Sequence, residues 1–234
     1  MTFRNQTVLV TGAAGQLGQA VSRAFARQGA NLVLLGHSQA SLITAFGAES
    51  ETRLFVAADL LDQVQVNEAV AQGVARFGRI DVLCNIAGGF SMGEPVHQTS
   101  EATWDLMHDL NVRTVLNMAR AVVPRMQDGA GGKIINVAAT AAQRGTPDMG
   151  AYCAAKSAVV RLTESMAAEL REQGINVNCV LPSILDTPAN RLAMPAADPQ
   201  RWVAPDDLAQ VVLFLASPAA IAVHGVALPV TGLS

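Results

Sequence analysis

The stretch TVLVTGAAGQLGQAVSRAFARQGA, residues 7–30, decides the fold of this chain of 234 residues. Its first four residues are apolar or β-branched and predict a buried strand, and the apolar residues that follow have the spacing of an amphipathic helix. Gly12, Gly15 and Gly18 lie in the turn between the two. Glycines in such a turn let the backbone approach a phosphate group, which the free N–H groups at the start of the helix then bind. The stretch therefore predicts a first β-α unit whose turn binds a nucleotide.

The same alternation of strand and helix continues along the chain. Six further buried strands are predicted at NLVLL, RLFVA, IDVLCN, GKIINVA, INVNCVL and VALPV, with helices near residues 16–28, 39–46, 62–76, 101–127, 150–173 and 205–216. Asp62, the pair Thr99-Ser100, and Pro205 are suitable N-terminal residues for three of these helices. Repeated β-α units build a parallel sheet that binds ligands at the carboxyl ends of its strands. We therefore predict a single doubly wound α/β domain over residues 1–234, with seven strands.

Composition narrows the class of protein. Half of the residues are apolar and 15% are charged, so the chain can bury a large core and a subunit interface, and we expect a homo-oligomer. The net charge of −3 and the scattered arginines do not provide the basic run that a nucleic-acid-binding protein needs. Cys84, Cys153 and Cys179 lie in apolar or helical stretches and are expected to be reduced, buried thiols.

The N-terminal residues MTFRNQTVLVTG lead directly into the first strand, without the charged and then apolar layout of a signal peptide. Polar residues interrupt the apolar runs well short of the length that spans a membrane. We therefore expect a cytoplasmic protein that is not embedded in a membrane.

The stretch AYCAAK, residues 151–156, contains the only tyrosine and one of the two lysines. Tyr152 and Lys156 are four residues apart in a predicted helix, so they share one face of it. An ammonium group near a phenol favours the phenolate and lowers the pKa of the phenol, which makes the tyrosine a usable proton carrier. Taken alone, the pair also fits a helix-face aromatic residue beside a solvated lysine.

Further motifs in order around this pair give the chain a resemblance to the short-chain dehydrogenase/reductase family along essentially its whole length. The segments that match are TGAAGQLG at 11–18, AADL at 57–60, CNIAGG at 84–89, LNV at 110–112, INVAAT at 135–140, YCAAK at 152–156 and NCVLPSILDTP at 178–188. The resemblance implies a Rossmann fold with strand order 3-2-1-4-5-6-7. It also implies an NAD(P)-dependent oxidoreductase that acts on a carbonyl group or a secondary alcohol.

The resemblance assigns roles to particular residues. Tyr152 would be the catalytic acid and base, Lys156 would lower the pKa of Tyr152 and bind the nicotinamide ribose, and Asn111 would hold a water molecule of the proton relay. The residues that would contact the cofactor are Gly12, Gly15, Gln16, Leu17, Gly18, Asp59, Leu60, Asn85, Ala87, Gly88, Pro182 and Thr187, together with Tyr152 and Lys156. Among these, Asp59 and Leu60 would contact adenine, and Thr187 would contact the carboxamide of the nicotinamide.

The sequence departs from the family pattern at the site itself. Ala139 stands where the family usually has a serine that polarises the substrate carbonyl, and loss of such a donor costs roughly two to three powers of ten in rate. Thr140 is the candidate replacement, unless it faces away as an ordinary loop residue. Gln16 stands where compact members usually have glycine, Ile86 where a second asparagine is frequent, and Ser183 where glycine is usual.

Two regions bear on the cofactor and the substrate. Gly36, His37 and Ser38 follow the second strand, where an acidic residue would bind the ribose of NAD. Without a carboxylate, His37 and Ser38 can hydrogen-bond the 2′-phosphate of NADP, so NADP is preferred to NAD, although no arginine is present and His37 also fits a solvated loop residue. Residues 183–202, short and rich in alanine and proline, are predicted to form a substrate lid that leaves an open site.

The substrate is a small-molecule carbonyl or alcohol whose identity the sequence leaves open. Phe90, Met92, Met149 and Met194 either line an apolar pocket or simply pack. For the assembly we expect a homodimer or homotetramer. The alternative function is a nucleotide-binding protein of this fold whose catalysis has weakened, as Ala139 suggests, and which senses redox state or assembles with a partner.

Overall fold

A computed structural model describes residues 2–234 of the chain. Seven strands form one sheet in the order β3-β2-β1-β4-β5-β6-β7, and every neighbouring pair is parallel. The strands are β1 Thr7–Val10, β2 Asn31–Gly36, β3 Arg53–Ala57, β4 Val82–Asn85, β5 Gly132–Val137, β6 Ile175–Pro182 and β7 Ala227–Val230. The predicted fold class and strand order are confirmed.

Helices connect the strands. They are α1 Gln16–Arg27, α2 Gln39–Phe46, α3 Gln63–Phe77, α4 Glu101–His108, α5 Thr114–Gln127, α6 Gly150–Leu170, α7 Pro188–Ala193 and α8 Pro205–Ala216. Their predicted starts are confirmed at three places. The Asp62 side chain accepts hydrogen bonds from the first turn of α3, the Ser100 side chain accepts one from the first turn of α4, and Pro205 is the first residue of α8.

Two helical segments differ from the prediction. Residues 101–127 do not form one α-helix, because a π-helical turn at Asp109–Arg113 separates α4 from α5. In the predicted lid, α7 is a helix that the sequence analysis did not predict. The Thr187 side chain accepts a hydrogen bond from the Asn190 N–H at 3.2 Å, and Pro188 occupies the first helical position, so a cap and a proline start this short helix.

The core has two layers, one on each face of the sheet. Side chains of a strand alternate between faces, so neighbouring residues of β1 belong to different layers. Val8 and Val10 pack with α1 and α8, whereas Leu9 packs with α3 and α5. No helix within residues 2–234 is long and apolar enough to cross a membrane.

The order of the strands reverses at the carboxyl ends of β1 and β4. Thr11, directly after β1, ties these two ends together. Its backbone N–H donates to the Cys84 carbonyl at 3.0 Å, and its hydroxyl accepts hydrogen bonds from the N–H groups of Ile86 at 3.0 Å and Ala87 at 3.1 Å. In a doubly wound sheet, ligands bind in the crevice at such a reversal.

Candidate active site

The turn between β1 and α1 is shaped by its glycines. Gly12 has a φ of +62°, and a Cβ atom there would lie 2.9 Å from the Ala87 Cα. A Cβ on Gly18 would lie 2.2 Å from the Gly12 carbonyl oxygen, so a side chain at Gly18 would push α1 away from the turn. Only glycine permits this close packing of helix against turn.

The start of α1 is open to a ligand. Gly15 is the residue before the helix, and no side chain in the described part of the chain caps the helix or places an acidic group in its first turn. Gly15 and Gln16 are exposed, and Leu17 is buried beneath them. An uncapped helix start with accessible backbone N–H groups fits the pyrophosphate of a dinucleotide.

Residues at the ends of β2 and β3 are largely exposed. His37 is exposed, and the Ser38 hydroxyl caps α2 by accepting the Ser41 N–H at 3.2 Å. The exposed Asp59 carboxylate accepts the Leu61 N–H at 2.9 Å, while Leu60 is half-buried. These four predicted cofactor residues lie where strands β2 and β3 end, at the same edge of the sheet as the glycine turn.

Tyr152 and Lys156 are one turn apart on α6, as expected. The Lys156 side chain is buried, its Nζ donates a hydrogen bond to the Val137 carbonyl at 3.0 Å, and it lies 5.8 Å from the centre of the Tyr152 ring. Lys156 is therefore fixed against the end of β5, beside the tyrosine.

Burial dominates the pKa values of both groups. It lowers the pKa of Lys156 to about 8, because a charged ammonium loses solvation, and it raises the pKa of Tyr152 to about 12, because a phenolate does. Contrary to our expectation, the pKa of Tyr152 lies above its ordinary value. The desolvation of the tyrosine outweighs any stabilisation of the phenolate by a lysine at this distance.

Asn111 is the buried centre of the π-helical turn. Its side-chain Nδ2 donates to the carbonyls of Gly89 at 3.1 Å and Met107 at 2.9 Å, and its Oδ1 accepts the Gly89 N–H at 3.2 Å. The amide thus holds the backbone that follows β4. A Cβ on Gly88 would lie 2.7 Å from Asn111 Oδ1 and 3.4 Å from Lys156 Nζ, so Gly88 lies close to both.

A chain of buried polar side chains lies beneath this loop. Asn85 Nδ2 donates to Asn136 Oδ1 at 2.9 Å, and Asn136 Nδ2 donates to the Thr163 hydroxyl at 2.9 Å. Asn85 Oδ1 is buried without a hydrogen-bond partner within residues 2–234. Asn136 and Thr163 were not among our site residues, although an asparagine inside the apolar run GKIINVA signals a buried polar network.

The residue next to Ala139 carries a hydroxyl group without a hydrogen-bond partner in residues 2–234. Ala139 is buried, and Thr140, the next residue, begins a 3₁₀ turn over Thr140–Ala142. The Ser157 hydroxyl of α6 donates to the Ala142 carbonyl at 2.9 Å, which ties this turn to the helix that carries Tyr152. Thr140 is half-buried, and its hydroxyl makes no hydrogen bond to the described residues.

The segment 183–202 is anchored at its base. The Asp186 N–H donates to the Val203 carbonyl at 2.8 Å, and the Val203 N–H donates to the Ile184 carbonyl at 2.9 Å. Pro182 ends β6 beside Val230, and Thr187 is half-buried at the start of α7. The segment is therefore ordered at its base and contains a helix.

Phe90 is a further residue at this site. Its ring packs on the Tyr152 ring with centroids 4.9 Å apart and planes at 87°, and 57% of the residue is exposed. The sequence left open whether this residue lines a pocket or simply packs. A surface depression of about 380 Å³ lies elsewhere, beside Val96 and Trp104.

Comparisons with known proteins agree with this architecture. The family described as short chain dehydrogenase matches residues 6–197. A 3-oxoacyl-(acyl-carrier-protein) reductase of Thermotoga maritima is 32% identical, covering 99% of this chain and 98% of the relative. A D-threitol dehydrogenase of Mycolicibacterium smegmatis is 33% identical, covering 97% and 92%. The structure of a 3-ketoacyl-(acyl-carrier-protein) reductase from Brucella melitensis complexed with NADH is 31% identical, covers 98% of both chains and superposes with a TM-score of 0.88.

Proposed function

Because the chain belongs to the short chain dehydrogenase family, we propose that it is an NAD(P)-dependent oxidoreductase that interconverts a carbonyl group and a secondary alcohol. The observation that supports this proposal most is that Gly88 lies close to both Asn111 and Lys156. Lys156 in turn lies one helical turn from Tyr152 on α6. These four residues lie at the carboxyl edge of the sheet, where doubly wound folds bind their ligands.

The site fits a dinucleotide at several points. The uncapped start of α1 and the close approach allowed at Gly12 and Gly18 each suit a bound polar ligand. So does Asn85 Oδ1, which has no hydrogen-bond partner among residues 2–234. The residues that would hold the cofactor are Gly12, Gly15, Gln16, Leu17, Gly18, His37, Ser38, Asp59, Leu60, Asn85, Ala87, Gly88, Lys156, Pro182 and Thr187. A bound nicotinamide supplies or accepts the hydride of the reaction.

Tyr152 moves the proton in this proposal. With a pKa of about 12, its phenol is neutral at pH 7 and can donate a proton to the carbonyl oxygen as the carbonyl carbon is reduced. The ammonium of Lys156, held by the Val137 carbonyl, stabilises the phenolate that remains until solvent reprotonates it. In the direction of alcohol oxidation the same groups act in reverse.

Thr140 replaces the hydrogen-bond donor that Ala139 lacks. Within residues 2–234 the Thr140 hydroxyl has no hydrogen-bond partner, and its turn is tied to α6 by Ser157. A hydroxyl that donates to the carbonyl oxygen stabilises the negative charge that develops there. Asn111 acts as a positioning residue, because its amide fixes Gly89.

For the cofactor we propose NADP in preference to NAD. No acidic residue occurs from Gly36 to Ser41, and the exposed His37 and the hydroxyl of Ser38 lie at the start of α2. A 2′-phosphate there would receive hydrogen bonds and avoid a carboxylate. We expect NADPH to bind more tightly than NADH, with the preference lost in a His37→Ala, Ser38→Ala double variant. Equal affinities of the wild-type chain for both cofactors would exclude the preference.

We propose a homodimer or homotetramer located in the cytoplasm. Val96, Trp104 and Leu106 expose apolar surface around the start of α4, and such surface favours association. The three cysteines are buried and unpaired, which suits a reducing compartment. Light scattering coupled to gel filtration measures the assembly, and a monomer at micromolar concentration would contradict it.

The buried Ala139 supports a second candidate, a nucleotide-binding protein with weakened catalysis. A panel of ketones, aldehydes and secondary alcohols separates the two, assayed with both cofactors by absorbance of the reduced nicotinamide. We expect turnover of at least one carbonyl class. Nucleotide binding measured by calorimetry, combined with no turnover across the panel, would favour the second candidate.

A further inference from the structure

The loop that follows β4 places an aromatic ring directly on the proposed proton carrier. Phe90 meets Tyr152 in an edge-to-face arrangement, with centroids 4.9 Å apart and planes at 87°. Tyr152 belongs to helix α6, so the position of the Phe90 ring relative to it depends on how the loop is held.

The loop is held on both sides of Phe90. Before it, the buried Asn111 amide both donates to and accepts from the backbone of Gly89. After it, the Gly93 N–H donates to the Asp148 carbonyl at 2.8 Å, and Glu94 pairs with Met149 as an isolated parallel bridge. These contacts join the loop to the residues that immediately precede α6. The backbone on both sides of Phe90 is therefore held next to the start of α6, the helix that carries Tyr152.

The Phe90 ring nevertheless remains largely exposed. Phe90 is 57% exposed and Met92, in the same loop, is 59% exposed. A large apolar side chain usually gains free energy by burial, and here the backbone holds it where protein covers only part of it. The uncovered part of the ring is an apolar surface next to the Tyr152 side chain, on which a ligand can pack.

We propose that Phe90 is a specificity-determining residue, against which a flat apolar substituent on the substrate carbonyl packs. The substrate class is then aryl or conjugated ketones and the corresponding secondary alcohols. This inference rests on the proposed function, because it concerns the substrate of that same site.

The chemistry of the ring distinguishes this class from sugars and polyols. A flat aromatic group can adopt the offset or edge-to-face contacts that aromatic rings prefer, at centroid distances of about 4.5–7 Å. The hydroxyl groups of a polyol would lose hydrogen bonds to water against the same ring and receive none in return. The exposed Phe90 and Met92 thus favour the apolar class over a polyol.

The test compares three ketones in the presence of NADPH or NADH. Acetophenone is flat, cyclohexyl methyl ketone is similar in size but not flat, and erythrulose carries hydroxyl groups. The wild-type chain, Phe90→Leu and Phe90→Ala are compared by kcat and KM for each ketone. Ile221→Ala is the control, because Ile221 is also an exposed apolar residue, 63% exposed, and its carbonyl accepts a hydrogen bond from Asn176 near the amino end of β6.

We expect the wild-type chain to prefer acetophenone. Phe90→Ala should lower the ratio of kcat/KM for acetophenone to that for erythrulose about tenfold, chiefly through KM, as loss of an aromatic contact and its buried area would. Phe90→Leu should keep the preference over erythrulose and lose the preference over cyclohexyl methyl ketone. The control should leave both ratios unchanged. Unchanged ratios in Phe90→Ala would overturn the inference.

A second readout separates a role in specificity from simple support of the loop. Removal of the ring lets water reach Tyr152, so its pKa should fall from about 12 towards the ordinary value, and the pH dependence of kcat/KM should shift to lower pH. The charged or titratable groups near Tyr152 are Lys156 and Cys153, and both are unchanged in the variant. Loss of activity on all three ketones alike, with no shift in the pH profile, would contradict the inference.

The two proposals fail in different ways. If the wild-type chain turns over none of these ketones and no member of the wider panel, the proposed function fails, and the inference is then tested by calorimetric binding of 1-phenylethanol to the chain with oxidised nucleotide. Binding that Phe90→Ala weakens about tenfold supports packing of the aromatic ligand against Phe90. Binding that does not depend on Phe90, or no binding, overturns it.

Discussion

The two lysines of the chain place an ammonium group at opposite ends of strand β5, and so at opposite edges of the sheet. Lys133, the second residue of β5, is half-buried, and its Nζ donates to Asn176 Oδ1 at 2.6 Å. Lys156 is buried beyond the other end of β5, where its Nζ donates to the carbonyl of Val137, the last residue of the strand. Burial lowers the pKa of both lysines.

What differs between the two ends is what surrounds the ammonium. Lys133 lies among structural partners, since its side chain bonds Asn176 and its backbone N–H bonds the Asp81 carbonyl. Lys156 lies near Tyr152 and the exposed Gly88, at the edge where doubly wound sheets bind ligands. Burial alone therefore does not define the site. The neighbours of the buried charge define it.

The largest effect is expected at Tyr152, the neighbour of Lys156. Tyr152→Phe removes only the hydroxyl and should lower kcat by about three to four powers of ten, because the proposed mechanism has Tyr152 donate the proton. The nucleotide Kd should change little. Steady-state kinetics and calorimetry measure the two quantities, and a Tyr152→Phe enzyme with near-normal kcat would exclude the proposed proton transfer.

Replacing each lysine with methionine tests the comparison directly. Lys156→Met should lower kcat/KM about a thousandfold and weaken nucleotide binding, because it removes the charge that stabilises the phenolate. Lys133→Met, the matched control, should leave kcat/KM within about twofold, since the charge it removes lies at the other end of the sheet. Equal losses in both variants would show that the difference between the two ends has no functional meaning.

A smaller effect, about a hundredfold in kcat, is expected when Thr140 loses its hydroxyl. Thr140→Val keeps the shape of the side chain without the donor, and Thr140→Ser keeps the donor without the methyl group. We expect Thr140→Ser to retain most of the wild-type kcat and Ala139→Ser to restore activity to Thr140→Val. Wild-type turnover by Thr140→Val would show that the hydroxyl takes no part.

Stability should depend on pH through the buried lysine. The pKa of Lys156 is about 8 in the folded chain and 10.5 as its ordinary value, so the unfolded chain binds more protons between these pH values. The free energy of unfolding attributable to Lys156 should therefore rise with pH in this window, by on the order of 2 kcal/mol from pH 8 to 9.5. Cys179 of β6 is the titratable group that interacts with Lys156 in this structure.

Denaturant unfolding of the wild-type chain and of Lys156→Met measures this dependence, with the difference between them isolating the lysine. Lys133→Met should reduce the same rise less, because Lys133 is only half-buried. Above pH 10, ionisation of the unfolded tyrosine opposes folding, because the pKa of Tyr152 is about 12 in the folded chain. A free-energy difference that stays constant from pH 8 to 9.5 would contradict the burial of the charge.

The sequence was informative about the fold because its signals are local. The apolar runs, the caps at Asp62 and Ser100, and Pro205 each act within a few residues, and all of them lie where predicted. The π-helical turn was missed because its cause is not local. Asn111 bonds Gly89, 22 residues away in sequence, and no helical pattern reveals that contact.

The site was predictable only in part, for a related physical reason. The spacing of Tyr152 and Lys156 predicts that they share one helix face, and in the structure their side chains are neighbours on α6. The predicted direction of the pKa shift of Tyr152 was wrong. This shift depends on how much protein covers the Tyr152 ring, and the loop after β4 that carries Phe90 belongs to a different segment of the chain. Desolvation is a property of the packed structure and cannot be obtained from residue spacing.

The most direct measurement follows one deuterium atom. Reduced nicotinamide cofactor deuterated on the transferred face of C4 is incubated with the chain and the ketone that it reduces fastest, and mass spectrometry then examines the alcohol. The wild-type chain should give an alcohol with one deuterium on the carbinol carbon, and Tyr152→Phe should give none in the same time. Tight binding of the cofactor by the wild-type chain, with no deuterium in any alcohol, would contradict the proposed oxidoreductase.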